Sequence, residues 1–235
     1  MEGGSDDTRH TRNHILSQLH SNPDPPPPPS PPPAQSPPTL TYASEEYWLD
    51  RHSTPNPHEW LANYAVLQPY IRAFLVPLLL PSQSTEPSRP SQSTQTLHVL
   101  HPGYGTSTLD TSLETDTTLP STILTTNTDI SPALITSSKH SHPGGCYLLQ
   151  SCLVSPPLPH LHNCCIDKGT FDTFCCHPTE SLKRQHTSDY LEYLGHSLPP
   201  GSPVLVMSFG APEVRMRFFR QEVSRARGRK GDEGN

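Results

Sequence analysis

The sequence predicts an α/β domain built on a mostly parallel sheet with helices on both faces, preceded by a disordered proline-rich segment. Three observations carry this reading. Short apolar runs alternate with helical patterns from Leu97 onward, the order that βαβ units produce. A turn containing Gly103 and Gly105 follows the first of these runs, and Asp129 ends the second. Open α/β sheets bind ligands at such strand ends. Finally, 30 of the 235 residues are proline and only 31% are hydrophobic, too few apolar side chains for one compact unit from end to end. The expected boundaries are a proline-rich tail at 1–41, a folded domain at 42–220 with a low-complexity insertion at 81–96, and a basic disordered tail at 221–235.

The N-terminal part holds PDPPPPPSPPPAQSPP, from Pro23 to Pro38. Proline fixes φ and has no amide donor, so this tract is expected as a polyproline II segment. It has the composition that an SH3- or WW-type domain reads. An inert tail is the alternative, and composition alone favours it. From Tyr42 the text changes to EEYWLDRH and then HEWLANYAVLQPYIRAFLVPLLL. Leu61, Tyr64, Leu67 and Ile71 recur at helical spacing, and Pro77 and Pro81 are expected to end that helix. Leu97–Leu100 form the first strand. The helix after the glycine turn is weak, because threonine and serine dominate it. STILTTNTDIS gives the second strand, ending at Asp129. Ser131 followed by Pro132 is a helix start. CYLLQ at 146–150 is a third strand and CCIDKGTFD at 164–172 a fourth strand running into a turn. Residues 179–198 carry a helical pattern, and PVLVMSFG at 203–210 is the most β-like segment of all.

Sixteen Lys and Arg against twenty-two Asp and Glu give a net charge of −6, which argues against a general nucleic-acid binder. The longest apolar run, Phe74 to Leu80, is broken by Pro77 and falls far short of the roughly 20 residues that span a bilayer. The start, MEGGSDD, is acidic and has no apolar stretch behind it, so no secretory signal is expected. A cytoplasmic protein with reduced thiols is the expectation for the six cysteines. They include the doublets Cys164-Cys165 and Cys175-Cys176, with His160, His162 and His177 nearby. Doublets lack the C-x-x-C spacing of zinc sites, so no metal is expected.

Glycines after a strand let backbone and ligand approach closely. An acid ending the next strand of such a fold can bind ribose hydroxyls. Around these residues lies a wider set of stretches. EEYWLDRH resembles a Tyr-Trp-x-x-Arg opening segment, and HEWLANYAVLQPYI a Glu-Trp-Tyr-x-x-Tyr helix. HVLHPGYGTSTL resembles a Gly-Cys-Gly-Asn-Ser loop, and TNTDISPALI a Thr-Asn-x-Asp-x-Ser strand end. CCIDKGTFDTF is similar to Val-x-Asp-Lys-Gly-Thr-Leu-Asp-Ala-Leu, and VLVMSFGAPEVRMRF to a Ser-(Phe/Tyr)-Gly-x-Pro-x-x-Arg continuation. In this order, over roughly residues 45–219, they resemble the class I S-adenosylmethionine-dependent methyltransferases. Within these, the resemblance is to the branch of the elongation-factor-1A lysine methyltransferases and their methyltransferase-like relatives.

That resemblance implies a Rossmann-like methyltransferase sandwich with S-adenosylmethionine as cofactor and a protein lysine as acceptor, a translation factor among the candidates. It also implies residue roles. Gly103 and Gly105 would face the cofactor's amino-acid part and ribose, and Asp129 the two ribose hydroxyls. Trp48, His52 and Trp60 would close over it, His52 standing where the family more often has Tyr. Gln150 would meet the adenine amine in place of the family's Asp. Lys168 would line the methionine end or the transfer mouth, with Asp167 and Asp172 as candidate proton acceptors. Asp129→Ala is expected to weaken cofactor binding with little loss of fold. After Gly210 no pattern resembles the family's last two strands, so the sheet is expected to be incomplete there. The alternative function is therefore a catalytically inactive methyltransferase-like interaction module. Trp48 and Trp60 as plain core anchors are the remaining alternative for those residues.

Overall fold

The structure, a computed structural model, describes residues 42–53, 59–79, 96–119, 122–156, 158 and 162–232. The proline tract and nearly all of the 81–96 insertion lie outside these residues. Five strands form one parallel sheet: β1 (Leu97–Pro102), β2 (Ile123–Asp129), β3 (Cys146–Leu149), β4 (Cys164–Lys168) and β5 (Val204–Met207). Their order is β3-β2-β1-β4-β5. The helices are α1 (Glu45–Ser53), α2 (Tyr64–Leu79), α3 (Leu109–Thr115), α4 (Pro132–Ser141), α5 (Thr170–Cys175), α6 (Glu180–Ser197) and α7 (Pro212–Asp232). This is a Rossmann-like α/β sandwich, and its chain reverses direction across the sheet between β1 and β4.

The two faces follow from the two-residue period of each strand. Val99, Cys164 and Ile166 point to one face, where they meet Ile71, Leu75 and Leu79 of α2 and Leu109 and Leu113 of α3. Leu100 and Cys165 point to the other, against Phe171 of α5 and Tyr190, Tyr193 and Leu194 of α6. The doublet Cys164-Cys165 is thus divided between two cores and cannot act as a chelating pair. Among the described residues no group of three or more His, Cys, Asp or Glu is placed to hold a metal.

Several expectations need correction. Helix α2 does not stop at Pro77; it starts at Tyr64 and runs through Pro69 and Pro77 to Leu79. Each proline removes one intrahelical bond. The stripe Ile71, Leu75 and Leu79, at spacing four and almost fully buried, supplies the packing that overrides this cost. Leu61 lies outside the helix. Helix α3 forms despite its threonines because Leu109, Asp110 and Leu113 are buried. The segment 221–232, expected as part of a disordered tail, continues α7 to Asp232. Its Arg, Gln, Glu and Ala content favours helix. The Ser131-Pro132 start holds: α4 begins at Pro132, and the Ser131 hydroxyl accepts from the Leu134 amide at 3.3 Å. Among the described residues no helix is long and apolar enough to cross a membrane.

Candidate functional site

The parallel register brings the carboxyl ends of β1, β2 and β4 to one edge. Pro102 stands opposite Thr128, and Asp129 opposite Leu149. One pocket opens there. Its walls include Trp48, His52, Trp60, Gly103, Gly105, Asp129, Gln150 and Lys168, the eight residues read from the sequence as cofactor-binding.

The glycine turn follows β1, and both glycines have positive φ, +54° at Gly103 and +56° at Gly105. A Cβ on Gly103 would lie 2.3 Å from the Thr170 hydroxyl, which bonds Pro102 O at 2.8 Å. Gly103 therefore lets the loop sit on the start of α5, and Gly105 lets it turn toward Asp129. Asp129 is only 4% exposed. One carboxylate oxygen accepts from the Gly105 amide at 3.0 Å and the other from the Ser131 amide at 3.0 Å. The Ile130 amide faces the carboxylate as well, and two oxygens with about four acceptor sites keep capacity beyond these amides. Burial raises the Asp129 pKa, and the neighbouring His52 opposes that. The His52 ring is 7% exposed, and its Nδ1 lies 3.7 Å from an Asp129 oxygen. Burial holds His52 below the usual histidine range.

Gln150 follows β3. Its amide nitrogen donates to Pro156 O at 2.6 Å, while its buried Oε1 has no partner among the described residues. Lys168, the last residue of β4, is 6% exposed. Its ammonium pairs with Glu59 and reaches the Ser107 hydroxyl at 3.3 Å. Burial lowers its pKa, and Glu59 pulls the other way. An aromatic cluster covers this end. Trp48 and Trp60 meet edge to face at 5.6 Å, and Tyr42 lies 5.6 Å from Trp60. The Trp48 indole donates to Tyr42 O at 2.7 Å. Trp60 rests on Gly169, where a Cβ would come within 2.6 Å of the indole. The next residue, Leu61, has φ +67°, and the Ala62 amide closes back on Trp60 O at 3.0 Å. Such a turn is strained for a non-glycine residue, and it aims the indole.

The two candidate proton acceptors do not face the pocket. Asp167 is fully buried and accepts from the Thr170 and Phe171 amides and the Tyr190 hydroxyl. Burial pushes it up to about 6. Asp172 accepts from Ser208, from the Phe209 amide and from Arg215. Both carboxylates hold the fold together: one fastens α5 and α6 to β4, the other fastens the end of β5. Sequence reasoning missed Glu59 and Tyr42. Glu59 binds Lys168 across 109 positions, a distance that no local pattern reports; its only sequence signal is that it precedes Trp60.

No family model matches this chain, and no curated protein matches it. Among solved structures, similarity reaches the subject of "Conversion of a Disulfide Bond into a Thioacetal Group during Echinomycin Biosynthesis", with 18% identity and a TM-score of 0.43. That match covers 68% of this chain, which spans 58% of that protein's length. A TehB-like SAM-dependent methyltransferase from Corynebacterium glutamicum follows at 12% identity and a TM-score of 0.42, covering 68% of this chain and 84% of that one. A SAM-bound amino pentose methyltransferase from Micromonospora echinaspora shares 17% identity at a TM-score of 0.39, covering 71% and 52%.

Proposed function

We propose that the chain binds S-adenosylmethionine and transfers its methyl group to a protein lysine. The observation that carries this reading is the convergence of eight separated positions on one pocket, with the buried Asp129 beside the glycine turn. The residues fit the cofactor part by part. Asp129 has lone pairs left for ribose hydroxyls. The orphaned Gln150 Oε1 is an acceptor for the adenine amine. The Lys168–Glu59 pair offers both charges to the amino-acid end. The resemblance of the EEYWLDRH, HEWLANYAVLQPYI and CCIDKGTFDTF stretches to the lysine methyltransferase branch supports the choice of acceptor, and it names a translation factor as one candidate partner.

The bound cofactor supplies a methyl group already activated on a sulfonium. What remains for the protein is orientation and exclusion of water. Gly103 and Gly105 let the backbone approach, Asp129 sets the register, and Trp48, Trp60 and Tyr42 roof the pocket. A second cleft adjoins it, walled by Tyr42, Trp60 and Phe209 with the Asp172–Arg215 pair among its lining residues. Its aromatic walls suit an alkyl chain ending in an amine. That amine must lose a proton before attack; Asp167 is buried away from the cleft, and Asp172, which lines it, is held by Ser208, the Phe209 amide and Arg215. This last observation favours a second reading, in which the module binds cofactor without transferring methyl.

The experiment is incubation of the full chain with methyl-labelled S-adenosylmethionine and cell lysate, followed by acid hydrolysis. Label in methyl-lysine with wild type, and at least about tenfold less with Asp129→Ala at subsaturating cofactor, is expected. Cofactor binding without label would select the second reading.

A further inference from the structure

The run from Ser208 to Arg215 joins β5 to α7 and brings one cationic side chain to the second cleft. Arg215 lies in the first turn of α7. Its side chain is 22% exposed and lines that cleft together with Tyr42, Trp60 and Phe209. Its position is fixed. Nε donates to the Ser208 hydroxyl at 3.1 Å and lies 2.9 Å from Asp172 Oδ1. The Ser208 hydroxyl is held in turn, donating to Asp172 at 2.5 Å and accepting from the Gly210 amide at 2.9 Å. Gly210 leaves the room for this: a Cβ there would lie 2.3 Å from Nε and 2.7 Å from Cζ of Arg215.

A guanidinium carries five N–H donors in a rigid fork. Fastening the end of β5 uses the Nε edge alone. Among the described residues, Nη1 and Nη2 make no hydrogen bond. Asp172 meets the Nε edge and is only 7% exposed on its side chain, so the two terminal nitrogens are the end left for a ligand. That end suits a carboxylate, which takes two parallel N–H bonds. We propose that Arg215 reads a carboxylate on the methyl acceptor, so that the accepted lysine has an aspartate or glutamate within two residues of it. The second cleft and the cofactor pocket share Tyr42, Trp60, Gly169 and Thr173. A lysine stem against Trp60 is therefore next to both the cofactor and Arg215. An extended chain advances about 3.3 Å per residue, which sets the limit of two residues. Arg215 is a specificity residue on this account. The inference rests on the methyl-transfer reading above and deepens it by naming the acceptor's chemistry.

The test uses N-acetylated nonapeptides with one central lysine in Ser/Gly flanks. Glutamate is placed at each of the two positions on either side in turn, and a matched set carries glutamine instead. Label from methyl-labelled S-adenosylmethionine is followed with the full chain as wild type, Arg215→Gln, Arg215→Lys and Arg217→Gln. Circular dichroism melts and S-adenosylhomocysteine titration check fold and cofactor binding. For at least one position, wild type is expected to prefer glutamate over glutamine about tenfold in kcat/KM, mostly through KM, the size of one charge-assisted contact. Arg215→Gln is expected to bring that ratio to about one. Arg215→Lys, which keeps the charge and loses the fork, falls between. Arg217→Gln, which removes an exposed charge of the same helix, keeps the wild-type ratio. A merely structural Arg215 would slow both peptides equally and leave the ratio unchanged. A wild-type ratio near one at every position, or a ratio that survives Arg215→Gln, overturns the inference while the lysine reading stands. If folded wild type labels none of the peptides, both fall together.

Discussion

Asp129 fastens two backbone amides as well as facing the pocket, so removing it does two things. The expectation of little loss of fold is corrected by the bonds from Gly105 and Ser131. Asp129→Ala is expected to weaken S-adenosylhomocysteine binding ten- to a hundredfold and also to lower stability by about 1–3 kcal/mol, from buried donors left unmatched. Asp129→Asn keeps one acceptor and falls between, as calorimetry and urea titration on the same samples would show. Gly169 has φ +97° and no room for a Cβ beneath Trp60. Gly169→Ala is therefore expected to cost more than about 1 kcal/mol, and to displace the indole and weaken cofactor binding. His101 behaves differently again. Burial, with Lys168 nearby, holds it down to about 4. A depressed histidine contributes stability above its unfolded value that is lost as pH falls from about 6.5 toward 4. Relative to His101→Gln, wild type is expected to lose about 3 kcal/mol over that window, measured as urea midpoints at pH 7 and pH 4. Asp167 has the opposite sign. Its pKa is raised to about 6, so its contribution is lost as pH climbs from about 4 to 6, and it flattens the wild-type profile.

Helix α2 shows where local rules give way to packing. Leu75 is wholly buried beneath the sheet, and Leu75→Ala is expected to cost about 2–5 kcal/mol. Pro77 sits in the last turn of α2 without an amide to donate. Pro77→Ala is expected to be stabilising, by up to about 3 kcal/mol, and a rise in melting temperature checks it. What was legible in the sequence was local. The glycine turn, the acid ending β2, the Ser131-Pro132 start and the strand-into-turn run CCIDKGTFD each declare themselves within a few positions. What was not legible joins distant segments: the Glu59–Lys168 pair, the three donors on Asp167, and the apolar stripe that carries α2 through its prolines. The end of α7 was misread because its charge was weighed and its helix propensity was not.

Across the whole molecule, the strand order places the chain reversal between β1 and β4, and the pocket lies at that point. The eight site residues come from segments as far apart as Trp48 and Lys168, yet they line one cavity. A sheet with this order would hold these residues apart if any strand slipped by one position, since a slip moves every side chain to the opposite face. The central claim is that this cavity receives an adenosyl sulfur cofactor, and calorimetric titration of S-adenosylhomocysteine into the folded full-length chain tests it most directly. One-to-one binding in the micromolar range, about −8 kcal/mol, with Asp129→Ala weakened at least tenfold, is the expected result. A folded wild-type chain that shows no heat of binding up to millimolar ligand would contradict it.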